Sequence, residues 1–391
     1  MCVAGINYMH RLTDRPHARI AIDVIPLLGR LTGVGHYIDE LVHHFSRMVP
    51  EYEYTYYYGY YSKTILKSIK GIHGIKDFLL RVPVLRTGLR AVKGTVAKYH
   101  PAEFDLYFEP NFIPLDIKAK RIVTTVHDFS FQLFPEAHPK DRVRYFAKNF
   151  LRNIRRSTHI ITDSDCTKAE AMEILQVPAE MITPIHLGVD HDVFKIYDKG
   201  ALESCRDEFA LPEKFVLFVG AREPRKNLDR LVRAYAELPE QIQNEFNLVL
   251  VGPRGWGKGD PSSRKKLGNR VIVLDYVETQ KLALIYNLAS IFVYPSLYEG
   301  FGLPPLEAMA CGCPVVVSRA ASLPEVCADA AYYVDPKDTQ SIAEGMYKVL
   351  FEEELRRSLI EKGKARAKRF TWERTARETL AVFAEVLKAK H

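Results

Sequence analysis

Tyr298-Glu-Gly-Phe-Gly-Leu-Pro-Pro-Leu-Glu-Ala-Met-Ala-Cys-Gly-Cys-Pro314 reads as a loop that leaves a buried strand and enters a helix. The apolar run Ile291–Pro295 supplies the strand, and Gly300 and Gly302 let the backbone after it approach a ligand closely. Pro304 or Pro305 suits the first helical position. Gly312 suits the C-terminal cap, and Pro314 follows before a further strand at Val315–Val317. Glu307 then falls in the first turn. The free amides of Phe301, Gly302 and Leu303 point toward an anion, while the carboxylates of Glu299 and Glu307 accept hydrogen bonds from hydroxyls. A sugar joined to a phosphate meets both demands.

Outward from this loop, strand-like runs alternate with helical patterns in two blocks. The first holds Arg19–Ile25, Tyr54–Tyr60, Asp105–Phe108, Ile122–Val126 and Ile160–Thr162; the second holds Phe215–Val219, Leu248–Val251, Val271–Leu274, Ile291–Tyr294 and Val315–Val317. Alternation of this kind predicts an α/β fold with helix-covered parallel sheets. The break falls near His186–Glu213, where Leu187-Gly-Val-Asp190 opens a polar stretch. Two Rossmann-like domains facing a cleft follow, with ligands at the carboxyl ends of the strands.

Composition narrows the function classes. A chain of 391 residues that is 47% hydrophobic can bury a core in each of two domains. It shows no secretory leader pattern near Met1 and no apolar run long enough to span a bilayer, which predicts a cytoplasmic protein whose membrane attachment, if any, is peripheral to the inner face. The six cysteines lack framework or zinc-site spacing and read as reduced thiols. A net charge of +7 favours an anionic partner without choosing among nucleotide, lipid headgroup and nucleic acid.

The stretch Pro295–Gly312 resembles the Glu-seven-residues-Glu signature of the retaining glycosyltransferases of family 4, whose fold is the two-domain GT-B arrangement. The resemblance covers most of the chain and is strongest from Phe215 to Pro336. It implies that Glu299 contacts the donor sugar, the amides of Phe301, Gly302 and Leu303 the sugar and diphosphate, and Glu307 the ribose. It also implies an acceptor-side domain over residues 1–190, a nucleotide-sugar domain over 191–370, and a helix over 371–391 that crosses back. The chain departs from the family at His186, where Asn is common, and at Ala328, where Gly is common.

Val216-Leu-Phe-Val-Gly-Ala-Arg-Glu-Pro-Arg-Lys-Asn227 is a buried strand feeding a turn with three cations, the neutralisation that a departing diphosphate needs. By resemblance Lys226 binds the donor phosphates. The family's usual Arg slot holds Ala221, so either Arg222 or Arg225 supplies that contact. The Glu-Pro-Arg-Lys-Asn form looks most like mannosyl- or rhamnosyltransferases that use GDP-sugars. Thr125-Val-His-Asp-Phe-Ser130 ends another strand and places His127 and Asp128 at a carboxyl edge, where His127 resembles the family's cleft histidine. Gly33 and Gly35 of Thr32-Gly-Val-Gly-His36 precede a helix expected near Tyr37, and the resemblance implies an acceptor-side or diphosphate loop there. Asp163-Ser-Asp165 and Asp190-His-Asp192 look like metal-binding Asp-x-Asp pairs, but the resemblance is to a metal-independent fold, so no metal or other cofactor is expected; Asp163 caps the following helix instead.

Between Lys63 and Lys98, nine Lys and Arg face a single acid, Asp77, and are interleaved with apolar residues, a pattern suited to anionic membrane surfaces. The segment contains no nucleic-acid reading module, so no nucleic-acid partner is expected. Together these features predict a retaining, metal-independent glycosyltransferase. It would move a hexose from a nucleotide diphosphate to a hydroxyl of a glycan or lipid-linked acceptor in surface polysaccharide assembly. The alternatives are a non-catalytic basic membrane- or nucleic-acid-binding protein on the same scaffold and a sugar-nucleotide epimerase; the first places no demand on Glu299, Glu307, Lys226 and His127, and the second needs no acceptor.

Overall fold

Strands that are apolar at nearly every position must be covered on both faces, and Phe215–Val219 and Ile291–Tyr294 are buried throughout. In the computed structural model, which describes residues 18–29, 33–65, 103–256 and 267–389, the strands form one seven-stranded and one six-stranded sheet. The first comprises β1 (Arg19–Asp23), β2 (Glu53–Tyr57), β3 (Tyr61–Ser62), β4 (Leu106–Glu109), β5 (Ile122–Val126), β6 (His159–Thr162) and β7 (Ile182–Pro184). Their spatial order is β3-β2-β1-β4-β5-β6-β7, parallel except for β3, which runs antiparallel to β2. The second comprises β8 (Phe215–Val219), β9 (Asn247–Val251), β10 (Val271–Leu274), β11 (Ile291–Tyr294), β12 (Val315–Ser318) and β13 (Ala331–Val334), in the order β10-β9-β8-β11-β12-β13 and parallel throughout. In each sheet the order reverses at the first strand. Such switch points open crevices at the carboxyl ends of β1 and β4 and of β8 and β11.

The pattern of the sequence does not signal β3, β7 or β13. The first two have two and three residues, too few for periodicity to mark them, and β13, Ala331-Tyr-Tyr-Val334, is buried only at its two ends. A helix at Lys199–Glu208, capped by Asp198 and packed on the Thr279–Leu288 helix, occupies part of the stretch expected to be a polar connection. The helix expected near Tyr37 begins at Gly33 instead, so Gly33 and Gly35 lie in its first turn and not in a loop; its buried face is Tyr37, Ile38, Leu41, Val42 and Phe45. Lys63 pairs with Glu53. The remainder of the basic segment, with residues 66–98, lies outside the described residues. Among the described residues, Cys166, Cys205, Cys311, Cys313 and Cys327 are free thiols, and no helix is long and apolar enough to cross a membrane.

The two sheets are tied where the chain crosses between them. Val189 bridges Thr371 in parallel, and Thr371 caps a helix at Trp372–Lys388 that returns to the first sheet. Phe383 of that helix packs its ring 5.4 Å from Phe45 and 5.1 Å from Phe108, so the end of the chain completes the first core. At the crossing, a β-carbon on Gly188 would lie 2.2 Å from the Trp372 amide nitrogen, a backbone atom that cannot yield. Gly188→Ala is therefore expected to lower the melting temperature by several degrees, corresponding to roughly 1–3 kcal/mol of overpacking. Calorimetry showing an unchanged transition would mean that the crossing relaxes freely.

Candidate active site

The loops after β5, β8 and β11 meet between the two sheets. The turn after β8 is a single 3-10 turn, Pro224–Lys226, closed by Asn227 in the left-handed conformation. Asn227 is buried, and its side-chain amide donates to the Pro295 carbonyl at 2.9 Å and the Pro336 carbonyl at 2.6 Å, which pins this turn to the end of β11. A second tie is the amide of Leu297, which donates to the Arg225 carbonyl at 2.9 Å. Arg225 and Lys226 are thereby aimed at the Glu299 loop.

Glu299 is buried and is held by both cations. Lys226 Nζ lies 2.8 Å from Oε1 and 3.0 Å from Oε2, and Arg225 Nη1 lies 2.8 Å from Oε2. Arg225 Nη1 also donates to the Tyr298 carbonyl at 2.6 Å, and Lys226 Nζ donates to the Tyr294 hydroxyl. Burial alone would raise the carboxyl of Glu299, but Arg225 and Lys226 outweigh it and hold the group down at about 2. Burial makes the Lys226 ammonium easier to deprotonate, a tendency that Glu299 opposes. Arg225 Nε is buried without a partner, leaving one donor available to an anion.

Beyond Glu299 the backbone turns sharply at Gly302, with φ of +113°, where a β-carbon would lie 2.7 Å from Leu323 Cδ2. Ser322 Oγ lies 2.8 Å from the carbonyls of both Glu299 and Phe301, fixing the loop from below. The helix Leu303–Ala310 starts one residue before the prolines, so Glu307 sits just past its first turn. The amides of Phe301, Gly302 and Leu303 donate to no acceptor among the described residues, leaving free N–H groups at this helix start. Glu307 is partly exposed and accepts from the Tyr286 hydroxyl at 3.1 Å; burial of its carboxyl raises it to about 7.

The remaining candidates divide. Arg222 is turned away from Glu299 and pairs with Asp275 at 3.0 Å, so the cation beside Lys226 is Arg225. Asp128 accepts from the Ser130 amide at 2.8 Å and the Ser130 hydroxyl at 2.6 Å. His127 is buried, with Nδ1 2.8 Å from Asp163 and Nε2 2.9 Å from the Pro110 carbonyl. Both ring nitrogens are taken by the protein, and Tyr37 and Phe112 cover the ring edge-on at 5.1 and 5.3 Å. Burial disfavours the imidazolium, but Asp163 prevails and raises the His127 pKa. The histidine therefore has a fixed position and no free ring nitrogen. Its carbonyl lies so near Gly300 that a β-carbon there would approach within 1.9 Å. Asp163 does not cap the helix Asp165–Leu175; Ser164 does, accepting from the Thr167 amide. Gly33 begins its helix exposed, and Gly35 is buried.

Among the described residues, Asp165, His186 and Glu325 are the grouping whose ligand atoms come close enough for an ion, within 4.8 Å of one another. Glu325 already has partners of its own. Glu325 accepts from the amides of Asp165 and Cys166 at 2.9 and 3.1 Å and contacts His186 Nε2 at 2.6 Å, forming a strut from the second sheet to a helix start of the first. Sequence reasoning missed Asn227, Tyr294, Ser322 and Asp163. Only Asn227 carried a signal, an αL-tolerant residue placed directly before a helix.

Two family models cover most of the chain: glycosyl transferases group 1 over residues 205–366, and glycosyltransferase family 4 over residues 31–193. The O-antigen chain mannosyltransferase B of Escherichia coli is 33% identical over 374 residues, 92% of this chain and 97% of that protein. Among solved structures, the sucrose-phosphate synthase of Thermosynechococcus elongatus superposes with a TM-score of 0.68 at 18% identity, over 95% of this chain and all of that one. Anabaena HepE, solved with UDP-glucose, superposes with a TM-score of 0.68 at 17% identity, over 94% of this chain and 100% of that one. At these identities the structural likeness shows the shared two-domain fold.

Glu299→Gln would leave two buried cations without their carboxylate, a loss expected to cost roughly 3–5 kcal/mol. Added nucleoside diphosphate should then raise the melting temperature of the variant more than that of the wild type, because the anion restores the missing charge. Equal shifts would show that the diphosphate does not compete with Glu299 for these cations. In the wild type, the folded-state carboxyl lies below its ordinary value of 4.5, so its stabilisation is present above that pH and is lost as pH falls toward 2. Glu307 behaves oppositely: raised to about 7, it becomes a full acceptor only as pH rises through that value. Donor affinity measured by calorimetry should therefore increase from pH 6 to pH 8, and the increase should vanish in Glu307→Gln.

Proposed function

This chain belongs to the family 4 glycosyltransferases, and on that premise we propose that it moves mannose from GDP-mannose, with retention, to a sugar hydroxyl of a growing surface polysaccharide. The observation that carries the proposal is the set of Arg225, Lys226, Glu299 and three free amides gathered at the cleft, which supplies positive potential for a diphosphate beside acceptors for sugar hydroxyls. The mannosyl donor is supported by the 33% identity to an O-antigen mannosyltransferase over nearly its full length. A nucleotide-sugar donor is supported by the fold shared with a protein solved with UDP-glucose.

Charge on the diphosphate grows as the glycosidic bond breaks. Lys226 and Arg225 stabilise that charge, and the amides of residues 301–303 add the helix N-terminus. Glu299, clamped by two cations and acidic to about 2, is a weak nucleophile and a poor proton donor. Its carboxylate orients the sugar through hydroxyl hydrogen bonds, and the acceptor hydroxyl attacks from the side of the leaving diphosphate, which takes the proton. Glu307 and Tyr286 receive the ribose hydroxyls. The two cations supply the neutralisation that a metal provides elsewhere, so activity is expected to persist in excess chelator.

A thermal-shift panel of GDP-mannose, GDP-rhamnose, UDP-glucose and ADP-glucose tests the donor, with GDP-mannose expected to stabilise most. Transfer to a mannose-terminated oligosaccharide, followed by NMR of the product, tests the stereochemistry. An α-linked product is expected, and a β-linked product or a preference for another donor overturns the corresponding part. Lys226→Ala should reduce kcat by about 100-fold or more, with a smaller change in donor affinity.

A further inference from the structure

The helix Lys140–Ile154 has a buried face made by Phe150 and Ile154, with Phe146 partly buried beside them. On the opposite side, Lys140, Arg144, Lys148, Arg152 and, just past the helix end, Arg155 recur at intervals of four, four, four and three residues. At 100° per residue these positions occupy an arc of about 120°, and they extend over about 22 Å of helix axis. All five are exposed, and none of them has an ion-pair or hydrogen-bond partner among the described residues. Neighbouring cations are engaged: Arg156 pairs with Asp116 at 3.1 Å, and Arg142 lies over the rings of Phe146 and Trp256. Exposed acids near the stripe are Glu136 and Asp141 at its N-terminal end, Asp141 within the same arc, and Asp116, which pairs with Arg156, at its C-terminal end. Five free cations on one rigid line are a cost in self-repulsion that an anionic partner would remove.

We propose that this stripe docks the protein on an anionic lipid bilayer. A straight helix meets a plane along one line, and the cations lie along that line. Leu151 falls inside the same arc and is 39% exposed, and Leu133, on the short helix Ser130–Leu133 packed against this one, is 44% exposed. Leucines among the cations gain from the boundary between headgroups and acyl chains and gain nothing from the phosphate backbone of a nucleic acid. The stripe begins beside the cleft: Arg142 lies 5.7 Å from the Trp256 ring of the second domain, and the Trp256 indole N–H donates to the Ala137 carbonyl at 2.6 Å. A bilayer held here borders the cleft mouth. These residues are distinct in sequence from the basic segment between Lys63 and Lys98, and the proposal stands or falls independently of the sugar donor.

The test is co-sedimentation of the full chain with vesicles of equal parts phosphatidylcholine and phosphatidylglycerol, against vesicles of phosphatidylcholine alone. Wild type is expected to bind only the anionic vesicles, and added salt should release it. Replacing Lys140, Arg144, Lys148, Arg152 and Arg155 together by Gln should weaken binding about 100-fold or more, with Leu151→Ser giving a smaller loss. The charge-preserving pair Lys140→Arg and Lys148→Arg should bind as wild type, which keeps the test valid if the five-fold variant folds poorly. The proposal is overturned if wild type ignores anionic vesicles at low salt, if the five-fold variant folds and still binds them as wild type, or if a DNA duplex competes the protein off the vesicles through the same five residues.

Discussion

A carboxylate buried between two buried cations constrains the centre of this protein. Glu299 pairs with both Arg225 and Lys226, which leaves one positive charge in excess, and none of the three could occupy its largely buried place alone without a desolvation cost of several kcal/mol. Their geometry depends on the turn after β8 being held against the end of β11, which is the task of the Asn227 side chain and of the Leu297 amide. The three groups together carry one net positive charge. On the proposed reading, a diphosphate would meet cations already oriented and largely desolvated, which avoids dehydrating a lysine and an arginine anew.

The same loop also joins the domains. The Gly300 carbonyl accepts from Ser164 Oγ at 2.7 Å and Thr167 Oγ1 at 3.2 Å, while the Tyr298 hydroxyl accepts from the Phe129 amide at 3.0 Å and donates to Glu170 at 2.5 Å. The strut from Glu325 to the amides of Asp165 and Cys166 adds a helix-capping contact across the boundary. The placement of Glu299 and the contact between the two domains therefore depend on the same loop. His127 belongs to this framework: its ring, fixed by Asp163 and Pro110, holds the backbone that Gly300 abuts.

Much of this was legible in the sequence, for identifiable reasons. Continuous apolar runs mark strands buried on both faces, so β5, β8 and β11 stand at the residues the pattern indicates; the apolar run of β10 marks its residues too, although only Val271 is buried. Glycines and prolines punctuate the Glu299 loop so densely that the strand, the turn and the helix after it are readable directly, although the helix begins at Leu303 and leaves Glu307 beyond its first turn. Edge strands of two or three residues carry no such pattern, and the Lys199–Glu208 helix hides in a polar stretch because only Cys205 is buried along it. The helix beginning at Gly33 was obscured by glycines that ordinarily mark a loop.

By itself the sequence determined the α/β class, the two blocks of strands, the carboxylate pair and the identity of the cations near it, because local spacing and residue chemistry suffice for those. Which arginine joins Lys226 was decided by tertiary structure alone: Arg222 and Arg225 are three residues apart, and only the fold turns one toward Glu299 and the other toward Asp275. The fate of His127 was decided the same way, since its partners Asp163 and Pro110 lie 36 and 17 residues away and their distances depend on how β5 and β6 pair. The physical reason is common to both. Spacing along a chain fixes which face of one element a side chain shares, but charge pairing and burial are properties of space, and they exist only once distant segments have been packed together.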